Sequence, residues 1–305
     1  MTEEYAISRY EEACALLPWR LQPAALAVSR EQQAAAEELR LRIGRPLHLT
    51  LPEGELPLPK TRVIRGDLEQ VLDRATEYSR YAAAETLRHG YVTAKGGFRV
   101  GVCGTALPGP GERNEGMRDI SSLAIRIPRV REGAAEPLLG ELLEEGRPLS
   151  ALIVSPPGGG KTTLLRDLVR LLSQGTALSR PVRVALVDER GELAAVHRGR
   201  PQLEVGDLTD VLDGCPKALA VPLLLRAMTP QVIALDEVAV PADVEAVCAA
   251  AGCGVTLLAT VHAASLQDLE SRSVGQALLR CGVFRRAVLI EGRGDRRQSR
   301  VERLS

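Results

Sequence analysis

Apolar and charged positions alternate with two periods in the first half of the chain. Glu31 to Leu41 spaces its apolar residues at helical intervals, and Gly44-Arg45-Pro46 then turns the chain into a strand over Leu47 to Leu51. Pro52 to Lys60 carries three prolines and reads as a loop. Asp67 to Leu87 places Leu68, Val71, Leu72, Ala75 and Tyr78 on one helical face. His89 to Ala94 and Phe98 to Val102 flank Lys95-Gly96-Gly97, which predicts two strands and a tight turn. Leu107 to Gly116 is a Pro/Gly/charge loop, Leu123 to Ile127 a strand, and Pro128 to Pro137 linker-like.

After Ser150 the pattern changes. Apolar runs at Ala151 to Val154, Val182 to Val187, Val232 to Leu235, Val255 to Thr260 and Ala287 to Ile290 alternate with helical stretches at Thr162 to Leu172, Ala242 to Ala250 and Leu266 to Leu279. That alternation predicts βαβ units around a buried, largely parallel sheet. The expected organisation is an α+β domain over 1–130, a linker over 131–149 and an α/β domain over 150–305.

Composition narrows the function classes. The 305 residues carry 39 Lys plus Arg and 39 Asp plus Glu, so no whole-chain charge favours nucleic acid or an anionic membrane. Aromatic residues make up 3%, too few for a stacking platform on single strands. Met1 to Cys14 does not read as a secretory signal, and Ala246 to Val261, the longest small and apolar stretch, is too short to span hydrocarbon. The six cysteines are scattered without a C-x-x-C pair, so reduced thiols in a cytoplasmic protein are expected.

The chemistry concentrates at Ser155-Pro156-Pro157-Gly158-Gly159-Gly160-Lys161-Thr162-Thr163, which follows a strand and opens a helix. It matches G-x-x-x-x-G-K-[ST] except that Ser155 stands for the first glycine. Backbone N–H groups of 158–163 and the helix N-terminus are suited to nucleotide phosphates, Lys161 to the β and γ phosphates, and the Thr162 hydroxyl to Mg²⁺. A residue before Pro156 is driven to extended backbone, which serine adopts as readily as glycine. ATP and Mg²⁺ are therefore the expected ligands.

Hydrolysis needs an acidic metal partner and a group that orients water. Val232 to Leu235 runs into Asp236-Glu237, in the form of a Walker B strand, with Asp236 expected on Mg²⁺ and Glu237 on water. Val184 to Val187 runs into Asp188-Glu189-Arg190-Gly191-Glu192, and Leu257 to Thr260 into Val261-His262. Taken alone, the acidic cluster also fits a solvated turn and His262 a near-surface imidazole. In an open parallel sheet, all these strand ends face one ligand edge.

The order P-loop, acidic box, Walker B and Thr-x-His resembles the ATPase domain of the type II/IV secretion ATPase superfamily. Closer still is the stage III sporulation AA family of endospore-forming bacteria. That resemblance rests on Gly101 to Gly104, Ile120 to Ile127, Lys161 to Asp167, Val187 to Arg190 and Leu225 to Met228 before Pro230. It implies a P-loop NTPase core of RecA-like/AAA type and an ATPase on the mother-cell side of the membrane. It implies a ring, a hexamer by similarity to secretion ATPases, and work with membrane proteins of a sporulation channel. Glu189 or Glu192 falls in the acidic box that supplies a catalytic glutamate, and His262 falls at the nucleotide-sensing histidine. Secretion ATPases have Gly-Glu where this chain has Asp236-Glu237, so the water-activating carboxylate stays open among Glu237, Glu189 and Glu192.

A guanidinium from a neighbouring subunit is expected to complete such a site, with Arg126, Arg129 and Arg131 as candidates and Arg99 and Arg118 behind them. Each also fits a solvated surface residue. The N-terminal region is expected to close over bound nucleotide. The competing readings are a nucleic-acid translocase or remodeller on a RecA-like or AAA+ core, using the N-terminal α+β region or Arg293 to Arg303 as its contact surface, and a non-hydrolysing nucleotide switch. Neutral charge and scarce aromatics weigh against the first.

Overall fold

The computed structural model describes residues 3–79, 84–109, 114–128, 132–292 and 297–304. The chain divides into two compact units, Met1–Val130 with Ala195–Gln202, and Arg131–Ala194 with Leu203–Ser305.

The first unit contains helices α1 (Glu3–Ala15), α2 (Gln22–Leu26), α3 (Arg30–Ala35), α4 (Arg65–Ala75) and α5 (Ala84–Arg88). Its strands are β1 (Glu38–Arg42), β2 (Pro46–Leu51), β3 (Gly54–Arg62), β4 (Tyr91–Ala94), β5 (Phe98–Pro108) and β6 (Asn114–Arg126). They form an antiparallel sheet in the order β3-β2-β1-β6-β5-β4. One face is apolar: Leu39, Leu41, Leu47, Leu49, Val100 and Ile125 are fully buried, in a core shared with Tyr10, Leu17, Leu21 and Leu68. Residues 195–202 join this unit by side-chain contacts, with Gln202 Oε1 accepting from Gly96 N at 2.7 Å and Arg198 paired with Glu77.

Three expectations in this half are corrected. The helix expected over Glu31 to Leu41 stops at Ala35, because Glu38-Leu39-Arg40-Leu41-Arg42 alternates with period two and pairs on both sides as β1. Pro52 to Lys60, expected as a loop, supplies most of β3; as an edge strand bonded only to β2, it tolerates proline's missing N–H. The helix expected over Asp67 to Leu87 ends at Ala75, where Glu77 and Tyr78 take positive φ of 47° and 63°.

The second unit begins with α6 (Glu136–Leu139), a 3-10 turn (Gly140–Leu142) and a small hairpin of β7 (Leu143–Glu144) with β8 (Arg147–Pro148). Much of the segment read as a linker is thus built structure, held where Asp167 accepts a hydrogen bond from Ala135 N at 2.8 Å. There follow β9 (Ala151–Ser155), α7 (Lys161–Gln174), β10 (Val184–Asp188), β11 (Thr209–Asp213), α8 (Lys217–Met228), β12 (Val232–Leu235) and α9 (Pro241–Ala251). The unit closes with β13 (Thr256–His262), α10 (Leu266–Ser271), α11 (Ser273–Arg280), β14 (Arg286–Glu291) and β15 (Gln298–Arg303).

The sheet order is β11-β10-β12-β13-β9-β14-β15, parallel except where β15 returns antiparallel on β14. Every residue of β9, β10 and β12 is buried, as expected of strands covered on both faces. The helix expected over Leu266 to Leu279 is two helices, broken where Arg272 turns extended (φ −100°, ψ 140°). The basic tail of the sequence forms β15 from Gln298 onward. Cys248 and Cys281, expected as free thiols, are joined in a disulfide with Cα atoms 5.9 Å apart, because their positions on α9 and after α11 face each other. Among the described residues no helix is long and apolar enough to cross a membrane.

Candidate functional site

Strand register builds the site. Parallel pairing sets Val187 beside Leu235, Leu235 beside Ala259, and His262 beside Ser155, so the residues that follow these strands emerge along one carboxyl edge. The turn after β9 runs Pro156 to Gly160, with Gly158 at φ 75° and Gly160 at φ 98°, a conformation that disfavours side chains. Gly160 caps α7, whose first two residues are Lys161 and Thr162. Ser155 is buried, while Pro156, Pro157 and Gly158 are exposed and Thr163 half-buried.

Lys161 is 5% exposed, yet each contact of its ammonium is polar. It donates to Ser155 O at 2.7 Å and Pro156 O at 2.9 Å, and meets His262 Nδ1 at 2.8 Å. A donating ammonium takes Nδ1 as its acceptor, and Nε2 on the other side of the ring lies 3.4 Å from Glu237 Oε1. Burial pushes the Lys161 pKa down, and the charges of Asp236 and Glu237 oppose that shift.

Thr162 Oγ1 donates to Asp236 Oδ2 at 3.1 Å, while Asp236 Oδ1 accepts from Thr260 Oγ1 at 2.6 Å. Thr260 Oγ1 in turn accepts from Glu237 N at 2.7 Å, and Glu237 itself holds a left-handed φ of 52°. One fully buried threonine therefore orients both carboxylate residues. Lys161, Thr162, Asp236, Glu237 and His262 form a continuous contact network.

The acidic box is organised differently. Asp188, 1% exposed, accepts from the backbone N–H groups of Glu192, Leu193 and Ala194 and closes 188–194 into a loop. Arg166 of α7 clamps the same loop through Leu193 O and Glu192 O. Glu189 is paired with Lys217 and Arg190 with Glu237. The Glu237 carboxylate is in contact with His262, whereas that of Glu189 is engaged by Lys217 of α8. Arg126 lies in the first unit, ion-paired with Glu38 at 3.0 Å. Arg129 and Arg131 fall outside the described residues.

Three contributors were not assigned roles from the sequence: Thr260, Arg190 and Arg166. Thr260 carried a signal, since it is the first residue of the Thr-x-His element, and Arg190 sits inside the acidic cluster. Arg166 reaches the acidic loop from α7 by helix geometry, which composition does not reveal.

Several known proteins share this arrangement of elements. Aligned on structure, the ATPase DotB of Legionella pneumophila covers 90% of this chain and 79% of its own, with TM-score 0.58 and 17% identity. The pilus retraction motor PilT with bound ADP covers 88% and 80%, with TM-score 0.62 and 16% identity. Those likenesses establish an α/β P-loop fold of secretion and pilus ATPase type. In sequence, Protein SEEDLING PLASTID DEVELOPMENT 1 of Arabidopsis thaliana is 28% identical over 177 residues, 55% of this chain and 23% of that protein. Stage III sporulation protein AA of Bacillus subtilis (strain 168) is 40% identical over 261 residues, 86% of this chain and 84% of that protein. The family described as Sporulation stage III, protein AA matches residues 9–301, and the chain belongs to that family.

Proposed function

We propose that this chain is a Mg²⁺-dependent ATPase that assembles as a ring, a hexamer by analogy with secretion motors, and energises a membrane-spanning sporulation channel from the cytoplasmic side. The observation that carries the reading is the contact network of Lys161, Thr162, Asp236, Glu237 and His262 at the carboxyl edge of a parallel sheet. The family and the secretion-type fold support the motor role and the membrane partners.

The residues fit the ligands. The turn from Gly158 to Gly160 offers backbone N–H groups ahead of the α7 N-terminus, a cradle suited to phosphate oxygens. A hydroxyl and a carboxylate at 3.1 Å are hard oxygen donors of the kind Mg²⁺ takes alongside substrate phosphates and water. Thr162 and Asp236 would hold the ion, which when bound neutralises charge on the β and γ phosphates. Lys161 would exchange the carbonyls of Ser155 and Pro156 for phosphate oxygens, a charge-assisted replacement for neutral acceptors. Glu237 would orient the attacking water, and His262, in contact with both Lys161 and Glu237, would report whether the phosphate is in place. Arg126 remains the candidate guanidinium supplied by a neighbouring subunit.

The test is ATP turnover per subunit against protein concentration, with Mg²⁺ and without nucleic acid, for the unmodified chain and Lys161→Ala. Specific activity that rises with concentration and vanishes in the variant is expected of sites shared in a ring. Nucleotide binding without turnover at any concentration, even with membrane partners added, would replace the motor with a switch.

A further inference from the structure

The geometry points to Arg297 as a phosphate-binding residue of the nucleotide site, contributed in cis by the β14–β15 hairpin; this rests on the reading of the P-loop as a nucleotide site. The loop after β9 is flanked on both sides, because β9 pairs with β13 on one edge and β14 on the other. Asp236, Glu237 and His262 approach from the β12 and β13 side. Arg297, immediately before β15, approaches from the opposite side.

Its guanidinium lies against the glycine turn. A Cβ built on Gly160 would come 2.5 Å from Arg297 Nη1 and 2.8 Å from Cζ, so glycine at 160 is what admits the guanidinium. Nη2 reaches Gly158 O only at 3.5 Å, the outer limit of a hydrogen bond. Nε is buried and has no hydrogen-bond partner. Among the described residues no carboxylate pairs with Arg297. A guanidinium with an orphaned N–H, set on a loop whose own N–H groups suit phosphate, has unmet demand for an anion with several acceptor oxygens. Beside it is a cavity of about 260 Å³ lined in part by Glu132, Thr163, Leu164, Ile290 and Ser299, the Glu132 carboxylate forming no ion pair with Arg297.

The side on which Arg297 lies identifies the phosphate. Thr162 faces Asp236, and Thr163 faces the Arg297 cavity. The hydrolysed end of the substrate belongs on the Asp236 side, so Arg297 takes the phosphate nearest the nucleoside. Its role is binding rather than bond cleavage.

The experiment is equilibrium titration of the full chain with ADP, AMP and adenosine in Mg²⁺, for the unmodified protein, Arg297→Ala, Arg297→Gln and Lys161→Ala, with Tm measured without nucleotide as the folding check. Loss of a charge-assisted phosphate contact weakens binding about tenfold or more. ADP and AMP should both weaken by that factor in Arg297→Ala, adenosine should not, and KM for ATP should rise by a larger factor than kcat falls. Arg297→Gln, which keeps donors without the charge, should fall between and serves if the alanine variant does not fold. ADP binding that is unchanged or tighter in both variants overturns the inference, and so does weakening confined to ATP. If the unmodified chain binds ADP and Lys161→Ala does not, while Arg297 variants bind normally, this inference alone fails. If the unmodified chain binds no nucleotide, the P-loop reading fails with it.

Discussion

The hydroxyl of Ser155 occupies the space that a side chain at position 159 would need: a Cβ built on Gly159 lies 1.6 Å from Ser155 Oγ and 2.9 Å from Ser155 Cβ. Serine at the first motif position and glycine at the fifth are thus one structural choice. Gly159→Ala should disturb the turn and weaken nucleotide binding, while Gly159→Ala with Ser155→Gly should recover much of the loss. A coupling of roughly 0.5–3 kcal/mol is expected for residues in direct contact, read from ADP affinity across the four proteins; simple additivity would refute the coupling.

Glu237 and Glu189 differ in their partners, and the difference ranks the two. Glu237→Gln should lower turnover by about 10²–10⁴ while leaving ATP bound, as removal of a water-orienting base does. Glu189→Gln should chiefly loosen the contact with Lys217. Single-turnover measurements decide: normal turnover in Glu237→Gln with loss in Glu189→Gln or Glu192→Gln moves the role to the acidic box.

Thr260 joins Asp236 to the backbone of Glu237 while itself fully buried. Thr260→Val keeps the shape and removes both hydrogen bonds, leaving the half-buried Glu237 N–H and an Asp236 carboxylate oxygen short of a partner. A stability loss of about 1–3 kcal/mol is expected, together with a higher Mg²⁺ requirement for turnover. Thr260→Ser should restore both, measured by urea denaturation and by metal titration.

Asp213 ends β11 directly beside Asp188; although the residue is exposed to solvent, partial desolvation of its carboxyl first, then the Asp188 charge, pushes its pKa from 3.8 up to about 6. The folded state therefore holds a proton that the unfolded chain releases near pH 4. The stability linked to that proton is complete below pH 4 and is lost as pH rises through 6. The residue's exposure limits the effect to about 1 kcal/mol or less. Asp213→Asn should match the unmodified protein in Tm at pH 4 and exceed it above pH 7; equal Tm differences at both pH values would contradict the linkage.

Legibility in the sequence followed the physics of burial. The strands of the second unit were readable because covering both faces demands unbroken apolar runs, and their polar ends marked the site edge. Lys161, Asp236 and His262 could be brought together on paper from that rule alone. Elements at sheet margins were not readable: β3 hides behind its prolines, β11 is half polar, and α8 contains Pro222, which reads as a helix breaker although the helix continues through it. The break after Ala75 depends on two left-handed residues that no composition announces. The contact of Arg297 with the P-loop requires β15 to fold back on β14, a pairing invisible in a run that looked merely basic.

The antiparallel return of β15 also sets what the margin of its sheet presents to solvent. β15 is the outer strand of its sheet, and Arg300 on it is paired with Glu291 and Glu302, so that margin presents alternating charges where a flat apolar strand would invite another chain. At the other margin β11 carries Asp210 and Asp213. Both borders of this seven-stranded sheet thus discourage open-ended, strand-to-strand polymerisation through it.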